Sequence, residues 1–220
     1  MIAISSPKVI VIDYGVGNLL SIRRGLEHCG AVVTITSDPE QILAASRVVL
    51  PGVGAFGTAM DTLKNLEIIP VILEVAKRGT PFLSICLGMQ LLLNESEEFG
   101  VTEGFGLISG KVTEIPDKSI NGEPIKIPHI GWNSLISSSE NVYWHQTLLA
   151  DNQPGDAMYF VHSFMAEVED KKDLLAECDY EGISITAAVR RDNITGLQFH
   201  PEKSGVAGLN LLKQFLDCEK

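Results

Sequence analysis

Short runs of apolar, largely β-branched residues alternate with helix-like stretches along the first half of the sequence. The runs are KVIVID (8–13), AVVTI (31–35), RVVL (47–50) and TPFLSI (80–85), and the helical stretches begin near residues 18, 56 and 87. A parallel sheet covered on both faces requires continuous apolar strands separated by helices. The sequence therefore predicts a doubly wound α/β fold, with helices on both faces of a mixed, mostly parallel sheet.

The pattern changes between about Gly106 and Ile136, where short strand-like segments are separated by turns such as Asn121-Gly122. This change predicts an antiparallel excursion that is inserted into the sheet or packed on it. The segments AMYFV (157–161), DLLAEC (173–178), ISITAAV (183–189) and ITGLQF (194–199) continue as strands, and a last helix follows from about residue 205 to 216. We find no internal repeat and no linker, so we interpret residues 1–220 as a single domain.

Charge and cysteine content exclude several classes of protein. The sequence has 28 acidic against 17 basic residues, which argues against a surface for nucleic acid or an anionic membrane. We expect a cytoplasmic protein, because no segment resembles a membrane span or a signal peptide. Cys29, Cys86, Cys178 and Cys218 are too dispersed for a metal clip and too few for a disulfide scaffold, so at least one is free to act as a nucleophile. No cluster indicates a metal site.

The segment PFLSICLGMQ (81–90) leads from an apolar strand into a small-residue turn and a helix, with Cys86 at the bend. This order is typical of a nucleophile elbow, in which small neighbours, here Ser84 and Gly88, leave room for a sharp turn. The backbone N–H of Leu87 and the start of the helix would face the site and favour the thiolate. The alternative is that Cys86 is a small buried apolar residue.

A base for this cysteine is offered far downstream, where QFHPEKS (198–204) follows an apolar strand. Residues i and i+2 of an extended segment project to the same side, so Glu202 would orient the imidazole of His200 toward the thiol. The alternative is a surface turn with solvated charges. Together with the elbow, the pair predicts a catalytic triad of Cys86, His200 and Glu202.

The glycine-rich loop LPGVGAFG (50–57) follows the strand RVVL. Its glycines allow backbone N–H groups to approach a ligand, so we predict an oxyanion hole formed by Val53 or Gly54 together with Leu87. The glycines of this loop also match the dinucleotide motif G-x-G-x-x-G. The match follows the third strand rather than the first and lacks the acidic residue that ends a later strand, so we expect no nucleotide cofactor.

With these three features in one order on an α/β chain, the sequence resembles the class I glutamine amidotransferases. Within them it is similar to the glutaminase subunits of imidazole glycerol phosphate synthase, from histidine biosynthesis. The segments that carry the resemblance span nearly the whole chain: DYGVGNL (13–19), LPGVGAF (50–56), ICLGMQLL (85–92), PHIGWN (128–133), YFVHSF (159–164) and QFHPEKSG (198–205).

The resemblance implies that Cys86 attacks the side-chain amide of glutamine to form a thioester. His200 would protonate the departing ammonia and then activate the water that releases glutamate. The substrate-binding residues implied by the resemblance are Gly52, Gln90, His162, Ser163 and Phe164. No cofactor is implied.

The resemblance also implies a heterodimer with a (β/α)8-barrel synthase subunit. This partner would receive the ammonia and make imidazole glycerol phosphate and an aminoimidazole carboxamide ribotide. Asn18, His129 and Trp132 match segments that face it. The residues alone also allow other interpretations. Asn18 would be a helix N-cap, Trp132 would be a core aromatic residue, and His129 would be satisfied by local hydrogen bonds.

The sequence departs from the family pattern in two places. Ser84 stands where the elbow usually has glycine, so the turn must accommodate a Cβ and a hydroxyl near the thiol. Glu181 separates a tyrosine and a glycine that are adjacent in many relatives. A related branch supplies ammonia to enzymes that modify surface-polysaccharide sugars, and it stays open as the alternative acceptor. A binding module without catalysis would be expected to lack a triad residue, and all three are present.

Overall fold

The computed structural model of the protein describes residues 6–138 and 144–218. The helices in these two ranges are α1 (Leu19–His28), α2 (Pro39–Leu43), α3 (Phe56–Asn65), α4 (Ile69–Lys77), α5 (Leu87–Gln90) and α6 (Gly205–Asp217). The strands are β1 (Lys8–Ile12), β2 (Val32–Thr36), β3 (Val48–Gly52), β4 (Phe82–Cys86), β5 (Glu95–Ser96), β6 (Thr102–Glu103), β7 (Gly110–Glu114), β8 (His129–Ser134), β9 (Ile136–Ser137), β10 (Ala157–His162), β11 (Phe164–Val168), β12 (Leu174–Tyr180), β13 (Ile183–Arg191) and β14 (Ile194–Leu197).

An eight-stranded sheet in the order β2-β1-β3-β4-β14-β13-β12-β9 forms the centre of the molecule. The neighbours from β2 to β14 pair in parallel, and those from β14 to β9 pair antiparallel. The apolar runs form the parallel strands because side chains on both of their faces are buried. The predicted mixed, mostly parallel sheet is confirmed.

Helices cover both faces of this sheet. On one face α1 and α6 pack against the strands, and the buried residues of α6 include Leu211, Leu212 and Phe215, which recur at helical spacing. On the opposite face α3 and α4 bury residues such as Leu63 and Ile72. Among the described residues, we find no helix with both the length and the apolar character to cross a membrane.

The predicted antiparallel excursion is present as two smaller sheets. β7 lies between β11 and β5 in a four-stranded sheet, and β8 pairs with β10 as an antiparallel ribbon. Side chains alternate across the ribbon, so that His129 and Phe160 are buried while Ile130 and Trp132 are exposed. The helix predicted from residue 87 is a single turn, because the chain leaves it at residue 91 for the four-stranded sheet.

Candidate active site

Three neighbouring parallel strands bring the predicted motifs together. Gly52 at the end of β3 pairs with Cys86 at the end of β4, and Leu197 of β14 pairs with Ile85. The segments that follow these strands therefore meet at one edge of the sheet, where α/β proteins commonly bind their ligands. They border a cavity of about 380 Å³, lined by Val53, Gly54, Cys86, Leu87, Gln90, Glu98, Phe99, Val161, His162, Ser163, Phe164 and His200. A larger cavity, of about 910 Å³, lies beside α3 and α4 and contains none of the predicted site residues.

Cys86 has the backbone conformation of a strained elbow. Its φ and ψ are 56° and −113°, which a residue with a Cβ rarely adopts. Close approach of two backbones holds the bend in place: a Cβ on Gly88 would stand 2.2 Å from the carbonyl oxygen of Leu50, and one on Gly52 would stand 2.8 Å from the Gly88 nitrogen. Ser84 lies two residues before the bend and is fully buried, and its Oγ has no hydrogen-bond partner among the described residues.

His200 and Glu202 form a buried pair beside the cysteine. The Nδ1 of His200 lies 2.9 Å from Oε1 of Glu202, and the two side chains are 3% and 0% exposed. Glu202 lies in a short 3-10 helix (Pro201–Lys203) rather than in the extended segment that the sequence predicts, yet it still reaches the imidazole. Nδ1 is therefore hydrogen-bonded to the carboxylate, and Nε2 is left free to transfer a proton.

The charge state of His200 depends on its neighbours. Burial lowers the pKa of His200, but Cys86 and Glu202 outweigh burial and raise it to about 9. Nε2 forms no hydrogen bond with a described residue, so its proton stays available. A proton held on His200 at neutral pH favours a thiolate on Cys86.

The predicted oxyanion donors border the same cavity. Val53, Gly54 and Leu87 all line it, whereas Gly52 is buried behind them at the end of β3. Gly54 has φ of 100°, in the left-handed region that glycine accepts without strain. Tyr14, for which the sequence analysis predicts no role, donates a hydrogen bond to the carbonyl oxygen of Pro51 at 2.8 Å and so stabilises this loop.

Four of the five predicted substrate-binding residues also lie together, and Gly52 is the exception. Gln90, His162, Ser163 and Phe164 line the cavity, and the Gln90 side chain donates to the backbone carbonyl oxygen of Phe164 at 3.0 Å. Glu98 lines the cavity as well, and its Oε2 accepts a hydrogen bond from the backbone N–H of Phe56 at 2.7 Å. A glutamate in a loop between short strands carries no sequence signal, because most such carboxylates are solvated.

The three residues expected at a partner surface differ in exposure. Trp132 is 58% exposed, so it is not a core residue. Asn18 is half-buried at the N-cap position of α1, but its side chain makes no capping hydrogen bond. His129 is 2% exposed and its Nδ1 lies 3.0 Å from Nε2 of His162, so local hydrogen bonding accounts for its side chain, which does not reach the surface. In the described part of the chain no group of three or more His, Cys, Asp and Glu is placed to hold a metal ion.

Comparison with known proteins identifies a family. The family glutamine amidotransferase class-I matches residues 10–218. The chain is 49% identical to imidazole glycerol phosphate synthase subunit HisH 1 of Legionella pneumophila (strain Lens), over 94% of this chain and 98% of that protein. It is 43% identical to subunit HisH of Geobacter sulfurreducens, over 94% and 97%. The structure of PurLQS from Thermotoga maritima has the same fold, with a TM-score of 0.66, 20% identity and coverage of 96% and 98%.

Proposed function

Since this chain belongs to the class I glutamine amidotransferase family and is a glutaminase, we propose that Cys86, His200 and Glu202 are its catalytic residues. The observation that carries the proposal is their arrangement at one edge of the sheet. A carboxylate holds Nδ1 of an imidazole, and the free Nε2 of that imidazole shares a cavity with a cysteine on a strained elbow. This arrangement supplies a nucleophile, a base and a group that orients the base.

The reaction follows from these groups. The thiolate of Cys86 attacks the side-chain carbonyl carbon of glutamine and forms a tetrahedral intermediate. His200 gives the proton on Nε2 to the leaving nitrogen, the C–N bond breaks, and ammonia departs from a thioester. Water then loses a proton to Nε2 as it attacks the thioester, and the thiolate leaves with glutamate as the product. Glu202 keeps the imidazole oriented and stabilises its charged form.

Other cavity residues have roles in binding. The N–H groups of Val53 or Gly54 and of Leu87 stabilise the oxyanion of the tetrahedral intermediate. Among the described residues that line the cavity, Glu98 is the one acidic residue, so its carboxylate is suited to the α-ammonium group of glutamine. A Glu98→Gln variant should therefore raise KM for glutamine with a much smaller effect on kcat.

The same chain supplies ammonia to a partner, in our proposal a (β/α)8-barrel synthase that forms imidazole glycerol phosphate. This assignment is supported by the names of the relatives, which are subunits of imidazole glycerol phosphate synthase. The exposed apolar side chains of Ile130 and Trp132 lie on the outer face of the β8-β10 ribbon and suit a protein contact. Residues 1–220 act as one domain in the cytoplasm, and the acceptor site belongs to the partner.

The test measures glutamate release by the purified chain, alone and with the barrel synthase. Cys86→Ala should abolish hydrolysis while circular dichroism and binding of the barrel stay unchanged. Cys29→Ala is the matched control, because this free and partly buried cysteine lies outside the cavity and should retain activity. Hydrolysis by Cys86→Ala would exclude the triad, and absence of stimulation by the barrel would favour an acceptor in surface-polysaccharide synthesis.

A further inference from the structure

A buried chain of hydrogen bonds connects the cysteine to β8. We call it the amide chain, and its members are His129, His162, the carbonyl group of Phe164, Gln90, Gln198 and Cys86. The four polar side chains, of His129, His162, Gln90 and Gln198, are all less than 10% exposed. Buried polar groups of this kind have few alternative partners, so the direction of each hydrogen bond can be worked out from its neighbours.

The carbonyl oxygen of Phe164 sets the direction of the whole chain. A carbonyl oxygen only accepts, so the Gln90 atom that lies 3.0 Å from it is the amide nitrogen. The same nitrogen lies 3.0 Å from the side-chain amide of Gln198, which must therefore present its oxygen, Oε1. If the Gln198 amide were turned over, two N–H donors would face each other. Its nitrogen is consequently fixed on the opposite side, toward Cys86.

The imidazole end of the chain obeys the same rule. His162 has Nδ1 at 2.9 Å from the Phe164 carbonyl oxygen, so Nδ1 carries the proton and Nε2 is an acceptor. His129 then donates from its own Nδ1 at 3.0 Å. Both imidazoles are neutral at neutral pH, because burial lowers the pKa of each to about 4. The two histidines, which we call the imidazole pair, thus hold one tautomer each.

The other end of the chain reaches the sulfur. Nε2 of Gln198 lies 3.8 Å from Sγ of Cys86, and the carbonyl oxygen of Val161 lies 3.9 Å from the same atom. A thiol can donate to Val161, but a thiolate has no proton to donate and needs donors around it. Gln198 supplies an N–H whose direction cannot reverse.

We propose that Gln198 is a further catalytic residue, whose side-chain N–H donates to Sγ of Cys86 and stabilises the thiolate that attacks glutamine. Gln198 stabilises the thiolate together with His200, and the hydrogen bond from Gln90 holds the Gln198 amide in the donating orientation. The proposal rests on the proposed function only in taking Cys86 as the nucleophile. The motif QFHPEKS does not by itself assign a role to the side chain of Gln198, because a glutamine at a strand end is most often a solvated residue.

The test follows alkylation of Cys86 by iodoacetamide as a function of pH, resolved by peptide mass spectrometry. Gln198→Met retains the shape of the side chain and removes the donor, so the pH midpoint of alkylation should rise by about one unit, with about tenfold less thiolate below the midpoint. Gln198→Glu is nearly isosteric and places a carboxylate against the sulfur, so the midpoint should rise further. Cys29 and Cys218 are internal controls, and their midpoints should not move.

The pH dependence separates a donor from a packing residue. Loss of packing alone would lower glutaminase activity at every pH, whereas loss of the donor lowers it below the midpoint and spares it above. Gln214→Met, a change of the same type at a half-buried glutamine outside the cavity, should leave the Cys86 midpoint unchanged. An unchanged midpoint in folded Gln198→Met overturns the proposal, and if that variant does not fold, an unchanged or lowered midpoint in Gln198→Glu does so. Alkylation needs no turnover, so failure of glutamine hydrolysis is a separate outcome.

Discussion

Replacing Ser84 by alanine should stabilise the protein, because the hydroxyl group of Ser84 is buried without a hydrogen-bond partner. The residue is 0% exposed in β4, and its Oγ contacts no donor or acceptor among the described residues. An unpaired buried polar group costs about 1–3 kcal/mol. Alanine retains the Cβ and removes only the oxygen, and the loss of its van der Waals contacts offsets a part of the gain. The free energy of unfolding should rise by about 1 kcal/mol.

Ser204 provides the matched control. It is 2% exposed, but its Oγ donates to the carbonyl oxygen of His200 at 2.6 Å and accepts from the N–H of Tyr159 at 3.0 Å. Alanine at this position leaves the half-buried N–H of Tyr159 without that partner and removes the hydrogen bond to His200, so the free energy of unfolding should fall by about 1–3 kcal/mol. The same substitution at two buried serines is thus predicted to change stability in opposite directions.

Urea unfolding followed by circular dichroism measures both changes, and equal m-values would show that the unfolded states are comparable. For a chain of this length, 1 kcal/mol corresponds to about 2–4 °C in Tm. Ser84→Ala should retain glutaminase activity, because Ser84 does not line the cavity. A Ser84→Ala variant that is less stable than the wild type, at unchanged m-value, would refute the reasoning and show that the hydroxyl has a partner.

Three further predictions follow from the site. Gly88→Ala should abolish glutaminase activity and lower the free energy of unfolding by more than about 1 kcal/mol, because the added Cβ would stand 2.2 Å from a carbonyl oxygen of β3. An activity assay and urea unfolding test the two effects. Cys86→Gly should be inactive but more stable than Cys86→Ala by about 1 kcal/mol, since glycine accepts the left-handed bend, and the same unfolding assay compares them. The free energy of unfolding should rise from pH 4 to 6.5, where the imidazole pair takes up protons only after unfolding. Denaturant titrations across this range test the curve, and a flat or falling free energy of unfolding would contradict it.

The sequence predicts the central sheet well, because strands buried on both faces are continuous apolar runs. The same reasoning places Cys86 and His200 at one edge, since both follow strands that turn out to be neighbours. The lengths of elements are less predictable. The segment after Cys86 has a helical composition, but its helix ends after one turn, because the chain then enters the four-stranded sheet. The apolar pattern predicts this sheet only in part.

The sequence does not predict the roles of residues whose contacts come from distant parts of the chain. Glu98 reaches the cavity through a loop of the four-stranded sheet, where its carboxylate also caps the N-terminus of α3 at Phe56. Gln198 gains its partners from Gln90 in α5 and from Cys86 at the end of β4, which are far from it in sequence. His129 is buried by stacking between Phe160 and Tyr180, at ring-centroid distances of 4.9 and 4.0 Å. No local pattern encodes such contacts, because each requires two or three elements to be placed first.

Two unfavourable features lie close together in β4, and they differ in what they contribute. The left-handed bend at Cys86 costs about 1–3 kcal/mol, but it points the sulfur into the cavity beside His200. The unpaired hydroxyl of Ser84 has a similar cost and contacts nothing in the cavity. Removing the strain at Cys86 should stabilise the protein but abolish its activity. Removing the Ser84 hydroxyl should stabilise the protein and leave its activity unchanged. Only the strain at the nucleophile is therefore retained for catalysis, and the close packing of Gly88 on β3 keeps it from relaxing.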